Sequence, residues 1–327
     1  MKDSIFKNIL VNIRAFFTTN VRHRLNENSS RLDRLEDQME MLNQNVVTQF
    51  HYLNLLDYYA RHQEEAKPYE KELEYLRQSG KYSSFPYAPS SVAVTAESGF
   101  DKASGLPYVM HQNKKLFFTD ACTPDKALEL YKYYLQVERL LGEGDDEGTP
   151  HQYQSPRVHV NDGDVVFDIG AAEGLFALDQ VEKASKVVIV ESDPQWMEPL
   201  KQTFAPYSDK VTILQKRVSA TDTKTTISLG TLLSEYAEGP AFVKMDVEGS
   251  ELQSLASAEA FLKQRNDLKW AVASYHKQHD AEELKTIFER RGLQTEFSNG
   301  YMLFYPYDTP VPPFFRHGVI RSKSKEL

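Results

Sequence analysis

The sequence predicts an α/β fold that follows a long helical region. Beyond residue 157, apolar runs of strand length alternate with stretches of helical periodicity. Repeated β-α units of this kind form a parallel sheet with helices on both faces and right-handed crossovers. The chain therefore divides into a helical region at 1–80, a bridging region at 81–156 and an α/β domain at 157–327.

Composition narrows the class of protein. The chain has 327 residues and a formal net charge of −9, and this charge argues against general affinity for nucleic acid. A single cysteine, Cys122, cannot form an internal disulfide framework and fits a reducing compartment. No apolar run reaches the roughly 18 residues that a membrane-spanning helix needs. These features predict a cytoplasmic protein.

Residues 2–17 predict an amphipathic helix. Its apolar side chains, from Ile5 to Phe17, fall on one face, and Lys7 and Arg14 lie opposite. Such a helix can lie on an anionic membrane surface, so a peripheral membrane contact is one interpretation. The other interpretation, which we favour, is packing against its own protein or a partner.

From Leu25 to Leu56 the apolar period changes to heptads. The a positions are Leu25, Leu32, Met39, Val46 and Leu53, and the d positions are Asn28, Leu35, Leu42, Gln49 and Leu56. A mostly apolar pattern sustained over four heptads favours a coiled coil, and therefore a homo-oligomer. The alternative is that the apolar seam packs within its own chain.

The bridging region predicts two strands and one helix. "LPYVMHQNKKLFFTD" is typical of two short strands around His111–Lys114. Thr123 is a good N-cap and Pro124 suits the first helical position, so we expect a helix from there to about Leu141.

The α/β domain is expected to contain five strands before its final segment. The strands are Val165–Asp168, Lys186–Glu191, Val211–Leu214, Ala241–Asp246 and Lys269–Tyr275, and the helices between them are Gly174–Lys183, Trp196–Phe204, Ser250–Lys263 and Ala281–Arg291. The final segment, "LQTEFSNGYMLFY", predicts two antiparallel strands joined at Asn299-Gly300, because Asn-Gly is a strong hairpin signal.

"VVFDIGAAEGLFAL", residues 165–178, predicts a ligand-binding turn between the first strand and the first helix. Its spacing, D-x-G-x-x-x-G, differs from the dinucleotide pattern G-x-G-x-x-G, and Glu173 would repel a pyrophosphate. A carboxylate at the strand end suits a ligand with an amino group and no phosphate, which favours S-adenosylmethionine over NAD. The cofactor-binding residues expected here are Asp168, Gly170, Ala171, Ala172 and Gly174.

The end of the second strand carries a further acid. Glu191 lies about 20 residues after the glycine turn, where a carboxylate can accept hydrogen bonds from both ribose hydroxyls of a nucleoside. Asp193 follows at the start of the next helix and is either another cofactor contact or only the helix cap.

Four segments together resemble the FkbM family of S-adenosylmethionine-dependent O-methyltransferases. They are "VVFDIGAAEGLFAL", "VVIVESDPQW", "FVKMDVEGSELQSL" and "AVASYHKQHD", and the resemblance covers roughly residues 157–325. It implies the seven-stranded class I methyltransferase fold and methylation of hydroxyl groups, often on sugars, polyketides or other small molecules. The chain departs from many members at Ala172 and Glu173, where those members have Asn and an apolar residue.

Methyl transfer to a hydroxyl requires that the acceptor oxygen be held close to the methyl group and that a base remove the hydroxyl proton. His276 follows the fifth predicted strand and has a suitable unperturbed pKa, while Asp246 ends the fourth and could serve as base or as an anchor. Glu248 is a third catalytic candidate, unless it only caps the next helix. Lys244 would share a strand face with Asp246 and is a candidate ion-pair partner for it. Asp246 and Glu248 could supply two metal ligands, but no third is evident, so no metal is expected.

The leading hypothesis is an O-methyltransferase that acts on a hydroxyl of a glycan or glycoconjugate, or another small-molecule acceptor. An NAD-dependent oxidoreductase is the second hypothesis, which the glycine spacing and the terminal hairpin disfavour. The third is a coiled-coil assembly protein whose methyltransferase-like domain is inactive.

Overall fold

The computed structural model describes residue 39 and residues 45–89, 94–140, 149–265, 267–305 and 309–325. The chain forms two compact units, Met1–Gln63 and Glu64–Leu327. Residues 64–80, which sequence periodicity groups with the helical region, belong to the second unit. The division of the chain into three regions stays a prediction, and the expected membrane-contacting helix at 2–17 lies outside the described residues.

The described part of the first unit is mainly one helix, α1, at residues 45–61. Three predicted a positions are largely exposed: Met39 at 71%, Val46 at 60% and Leu53 at 60%. Tyr52 and Leu55 are buried on another face of the helix. The heptads before residue 39 lie outside the described residues, so the coiled coil stays a prediction. Every helix in the described part of the chain is too short or too polar to span a bilayer.

The second unit begins with short helices and a small antiparallel sheet. Its elements are α2 (Gln63–Ala66), which crosses the boundary between the units, α3 (Glu70–Ser79), β1 (Ser98–Asp101), β2 (Leu106–His111), β3 (Lys114–Phe117) and α4 (Pro124–Leu135). The two strands predicted around His111–Lys114 are confirmed as β2 and β3. Thr123 caps α4 by accepting a hydrogen bond from the Lys126 amide at 3.2 Å. The α-helix ends at Leu135, and a π-helical turn follows it.

A seven-stranded sheet forms the centre of the second unit, in the order β11-β12-β10-β9-β4-β5-β6. Its strands are β4 (Val165–Ile169), β5 (Lys186–Glu191), β6 (Val211–Gln215), β9 (Ala241–Met245), β10 (Leu268–Ala273), β11 (Gln294–Phe297) and β12 (Val319–Lys323). The first five of these are parallel, and β12 runs antiparallel to both β10 and β11. Each of the five predicted strands begins within one residue of its observed start.

Helices cover both faces of this sheet. They are α5 (Leu175–Gln180), α6 (Met197–Phe204), α7 (Leu229–Tyr236), α8 (Glu251–Ser257), α9 (Glu259–Leu262) and α10 (Asp280–Arg290), and a two-stranded ribbon of β7 (Arg217–Ser219) and β8 (Thr226–Ser228) precedes α7. The helix predicted at Ser250–Lys263 is divided at Ala258 into α8 and α9.

Two apolar layers hold the sheet between these helices. Successive side chains of a strand point to opposite faces, and in β4 Val166 enters one layer while Phe167 enters the other. All five residues of β4 are buried. Burial on both faces explains why the strands read as continuous apolar runs and not as alternating patterns.

The hairpin predicted at Asn299-Gly300 is wrong. The antiparallel partner of β11 is β12, about 20 residues further along the chain. Gly300 has φ 77° and turns the chain out of the sheet, and the Tyr301 amide donates to the Tyr87 hydroxyl at 2.6 Å. The Tyr87 hydroxyl in turn donates to buried Glu72 of α3. A distant contact, not a local strand pair, therefore fixes this turn.

Candidate active site

The predicted glycine turn lies at the carboxyl end of β4. Gly170 has φ 71° and Gly174 has φ 84°, a region that side-chain-bearing residues rarely adopt. A Cβ at Gly170 would lie 1.8 Å from the Asp246 carbonyl oxygen, and one at Gly174 would lie 2.8 Å from Leu200 Cδ2. The two glycines are therefore needed for packing of the turn against its own protein. Ala172 in the same turn also has a positive φ, 47°.

Glu191 closes the turn from the end of β5. Its Oε2 accepts from the Ala172 amide at 2.9 Å, and its Oε1 accepts from the Asp193 amide at 2.8 Å. Asp193 caps the next turn by accepting from the Gln195 amide at 3.0 Å. Both predicted acids thus lie beside the glycine turn, and Glu191 holds the strained Ala172 in place.

Asp168 lies beneath the turn and pairs with Lys244. The two residues are partners in the register of β4 and β9, and Lys244 Nζ lies 3.0 Å from Asp168 Oδ1 and 2.5 Å from the Gly170 carbonyl oxygen. Burial lowers the pKa of Lys244, but the carboxylates of Asp168 and Asp246 outweigh burial and raise it above its usual range. The ion pair expected between Lys244 and Asp246 is therefore replaced by a pair with Asp168, because the parallel register places Asp168 directly opposite.

A cavity of about 280 Å³ opens beside the turn. Its wall includes Gly170, Ala171, Ala172 and Glu173 from the turn, together with Lys244 and Asp246 from β9 and its end. Aromatic side chains complete much of the lining: Phe85, Tyr133, Tyr134, Tyr153, Tyr275 and Phe304.

Acidic groups outnumber basic ones in this wall. Glu138, Glu173 and Asp246 line the cavity with Lys244. Burial, assisted by the negative charge of Glu138, raises the pKa of Glu173 to about 8. A cationic group bound here would offset the cost of these buried carboxyls, so the cavity fits a positively charged ligand.

Asp246 is the most heavily bonded carboxylate of the site. Its Oδ2 accepts from the Tyr153 hydroxyl at 2.8 Å and lies 3.3 Å from His151 Nε2. Its Oδ1 lies 3.4 Å from His276 Nε2. Burial would raise the pKa of Asp246, but the hydrogen bond from His151 and the positive charge of His276 hold it well below its usual range. Asp246 is therefore a stable anion and a weak base.

His276 lies behind Asp246 and is fully buried. Its Nδ1 is 3.0 Å from Glu251 Oε1. Burial lowers the pKa of His276, but the hydrogen bond to Glu251 and the charge of Asp246 outweigh burial and raise the pKa. A histidine that is fully buried and contacts two carboxylates is poorly placed to reach the proton of an acceptor hydroxyl. Glu248, the third catalytic candidate, has φ 55°, an exposed side chain, and an Oε2 3.7 Å from His276 Nε2.

His151 and Tyr153 belong to the site, and the sequence did not point to either. Both line the cavity, and both come from the short segment before β4. The imidazole of His151 makes edge contacts with the rings of Phe85 and Tyr275. The only signal in the sequence was a histidine and a tyrosine between Pro150 and Pro156.

Residues 179–297 match the family model described as "Methyltransferase FkbM domain". The chain carries an FkbM methyltransferase domain. The resemblance to the FkbM family that the sequence indicated is thereby confirmed. The matched stretch of the FkbM domain contains Glu191, Asp246, Glu248 and His276, while the glycine turn and His151 precede it. The match favours neither the oxidoreductase nor the inactive assembly protein.

Solved structures similar to the chain include methyltransferases. Methyltransferase FkbM from Methylobacillus flagellatus KT is 20% identical over 60% of this chain and 51% of its own length, with a TM-score of 0.40. This chain thus spans about half of that protein. Precorrin-6y C5,15-methyltransferase from Geobacter metallireducens GS-15 is 11% identical over 51% of this chain and 81% of its own, with a TM-score of 0.34. A candidate methyltransferase from Streptococcus mutans, in complex with SAH, is 13% identical over 51% of this chain and 92% of its own length, with a TM-score of 0.31. No curated protein matches the sequence.

Proposed function

We propose that this protein is an S-adenosylmethionine-dependent O-methyltransferase that methylates a hydroxyl group on a sugar of a glycan or glycoconjugate. The observation that carries the proposal is the cavity between the glycine turn and Asp246. One side of its wall carries buried carboxyl groups that fit a cation, and the other carries His151, held by Asp246. In this proposal the cavity holds both the cationic cofactor and the base that the reaction needs.

The residues of the turn fit S-adenosylmethionine. In this proposal Glu191 accepts from the ribose hydroxyls, since each of its oxygens has a second lone pair besides the one used by a backbone amide. Glu173 and Glu138 would face the positive charges of the cofactor. When bound, S-adenosylmethionine supplies an electrophilic methyl group on a cationic sulfur.

His151 is the base that the geometry supports best. Its Nε2 faces the Asp246 carboxylate, which places the ring proton on Nε2 and leaves the lone pair on Nδ1. Nδ1 has no hydrogen-bond partner among the residues that the structure describes. His151 would accept the proton of the acceptor hydroxyl at Nδ1 as its oxygen attacks, and Asp246 would stabilise the resulting imidazolium.

The lining of the cavity supports a sugar acceptor. Tyr133, Tyr275 and Phe304 present aromatic rings, and such rings pack against the apolar faces of other rings while polar groups at the edge fix orientation. Tyr133 is 50% exposed and is available at the rim.

Calorimetry and turnover test the proposal. The full-length protein is titrated separately with S-adenosylmethionine, its demethylated product and NAD, and is then incubated with methyl-labelled cofactor and a panel of glycans. We expect binding of the first two ligands and transfer of label to at least one glycan. Binding of NAD alone, or transfer of label only to acceptors without a hydroxyl group, would overturn the proposal.

A further inference from the structure

Three side chains converge behind the cavity from different parts of the FkbM domain. Asp246 follows β9, Glu251 begins α8, and His276 follows β10. One ligand atom from each lies within 4.8 Å of the other two. Glu251 and His276 are buried to 1% and 0% exposure, while Asp246 reaches the cavity wall. The sequence pairs Asp246 with Glu248 and offers no third ligand, because only the fold brings Glu251 and His276 to the same point.

The ion pair between Glu251 and His276 leaves one buried oxygen of the cluster without a hydrogen-bond partner among the described residues. Glu251 Oε1 accepts from the Val247 amide at 2.9 Å and lies 3.0 Å from His276 Nδ1. Its other oxygen, Oε2, is buried and has no hydrogen-bond partner among the described residues. A buried carboxylate oxygen without a partner costs free energy, and such atoms in native proteins are usually satisfied by a protein group, an ordered water or an ion.

The spacing fits a coordinated cation. Metal–ligand bonds of about 2.0–2.2 Å place neighbouring ligand atoms roughly 3.0–3.5 Å apart. Asp246 Oδ1 and His276 Nε2 are 3.4 Å apart. Glu251 supplies the third ligand atom of the group, within 4.8 Å of the other two.

Glu248 offers a fourth ligand from the solvent side. Its Oε2 lies 3.7 Å from His276 Nε2, and its backbone is held at φ 55°. A strained residue of this kind persists where the surrounding structure fixes it, and such residues cluster at functional sites.

We propose that Asp246, Glu251 and His276 bind a divalent transition-metal ion next to the acceptor hydroxyl. One imidazole nitrogen with carboxylate oxygens suits Mn²⁺, Fe²⁺ or Zn²⁺ better than Mg²⁺ or Ca²⁺, which prefer oxygen ligands alone. The role of the ion rests on the proposed function: a cation at Asp246 lowers the pKa of a hydroxyl group bound to it and so helps His151 to remove the proton.

Metal binding can be measured without turnover. The full-length protein is treated with a chelator, dialysed and titrated with Mn²⁺ and with Zn²⁺ by calorimetry. We expect one equivalent of either ion per chain. Pulsed electron paramagnetic resonance of bound Mn²⁺ should show coupling to an imidazole nitrogen, and this measurement needs no variant.

Asp246→Asn and Glu251→Gln should each lower the affinity for both ions at least tenfold, whereas Glu259→Gln, at an exposed position of α9, should leave it unchanged. Circular dichroism establishes that the variants fold. Absence of Mn²⁺ and Zn²⁺ binding, absence of the nitrogen coupling, or equal affinity in the folded variants would overturn the site and leave an ion-pair network only. Cofactor binding is titrated in parallel, so that loss of cofactor binding with an intact metal site contradicts the proposed function and not the metal site.

Discussion

Asp168 and Lys244 face each other across neighbouring strands at the centre of the sheet, with Lys244 Nζ 3.0 Å from Asp168 Oδ1. Both side chains are buried, at 0% and 6% exposure. The Lys244 ammonium also donates to the Gly170 carbonyl oxygen. This pair therefore connects the floor of the site to the glycine turn above it.

Lys244→Met should destabilise the protein by about 3–5 kcal/mol, because it leaves the Asp168 carboxylate buried without its counter-charge. Lys263→Met is the matched control, since Lys263 pairs with Glu259 at 3.1 Å on the exposed surface and its loss should leave the free energy of unfolding nearly unchanged. Urea unfolding of both variants measures the difference. Equal stabilities would show that the buried pair contributes nothing.

Glu191→Gln should weaken binding of S-adenosylmethionine by about 1–3 kcal/mol, because ribose hydroxyls lose a charged acceptor. The amide keeps one oxygen for the Ala172 amide, so the turn should persist. Glu198→Gln, on the exposed face of α6, is the control. Calorimetry gives both affinities, and an unchanged affinity in Glu191→Gln removes this residue from the cofactor site.

Glu173 should release a proton when the cofactor binds. Its pKa is raised from 4.5 to about 8 by burial, so it is mostly protonated at neutral pH in the free protein. A bound cation favours the carboxylate, and affinity should therefore rise with pH between about 6 and 8. Calorimetry in buffers of different ionisation enthalpy counts the protons. Glu173→Gln should abolish the release, and release that persists in this variant assigns the proton to another group.

The same raised pKa has a consequence for stability. Between pH 4.5 and about 8 the folded protein holds a proton on Glu173 that the unfolded chain has lost. Stability should therefore fall as pH rises through this window, and Glu173→Gln should flatten the dependence. Thermal unfolding across the pH range tests the sign.

His151→Ala should lower the methylation rate roughly 100-fold, as expected when a general base is lost, with little change in cofactor affinity. His159→Ala is the control, because His159 is exposed on the same segment. His276→Ala, which removes a buried imidazole that contacts Asp246 and Glu251, should lower both rate and stability. A normal rate in His151→Ala together with a stable, inactive His276→Ala would return the role of base to His276.

The exposed heptad positions of the first unit should drive self-association of the full chain. Each large apolar side chain contributes about 1.5–3 kcal/mol when it becomes buried, so we propose that Val46 and Leu53 pack against a second copy. Leu53→Asp should shift the protein to a smaller species in light scattering. Asn54→Asp adds the same charge at an exposed position outside the seam and should not. A monomeric wild-type protein would contradict this prediction.

The strands and the glycine turn were predictable because their signals are local. Apolar runs of strand length gave the start of β4 at Val165 and of β5 at Lys186, and turn residues marked Gly170. Contacts between distant segments left no such signal. The sequence predicted a tight hairpin at Asn299-Gly300, whereas β11 pairs with β12 across a long connection. His151 reaches Asp246 only because the segment before β4 folds back over the sheet.

The hydrogen bonds of Tyr87 to Glu72 and to Tyr301 have a practical consequence for dissecting this protein. They tie the wall that carries Met302 and Phe304 to a helix more than 200 residues earlier in the chain. A fragment trimmed to the family match would keep Glu191 and Asp246 but lose Glu138, Glu173 and most of the surface that encloses the cavity. Transplanting the reaction into another protein would therefore require everything from Glu64 onward, including segments with no family signature.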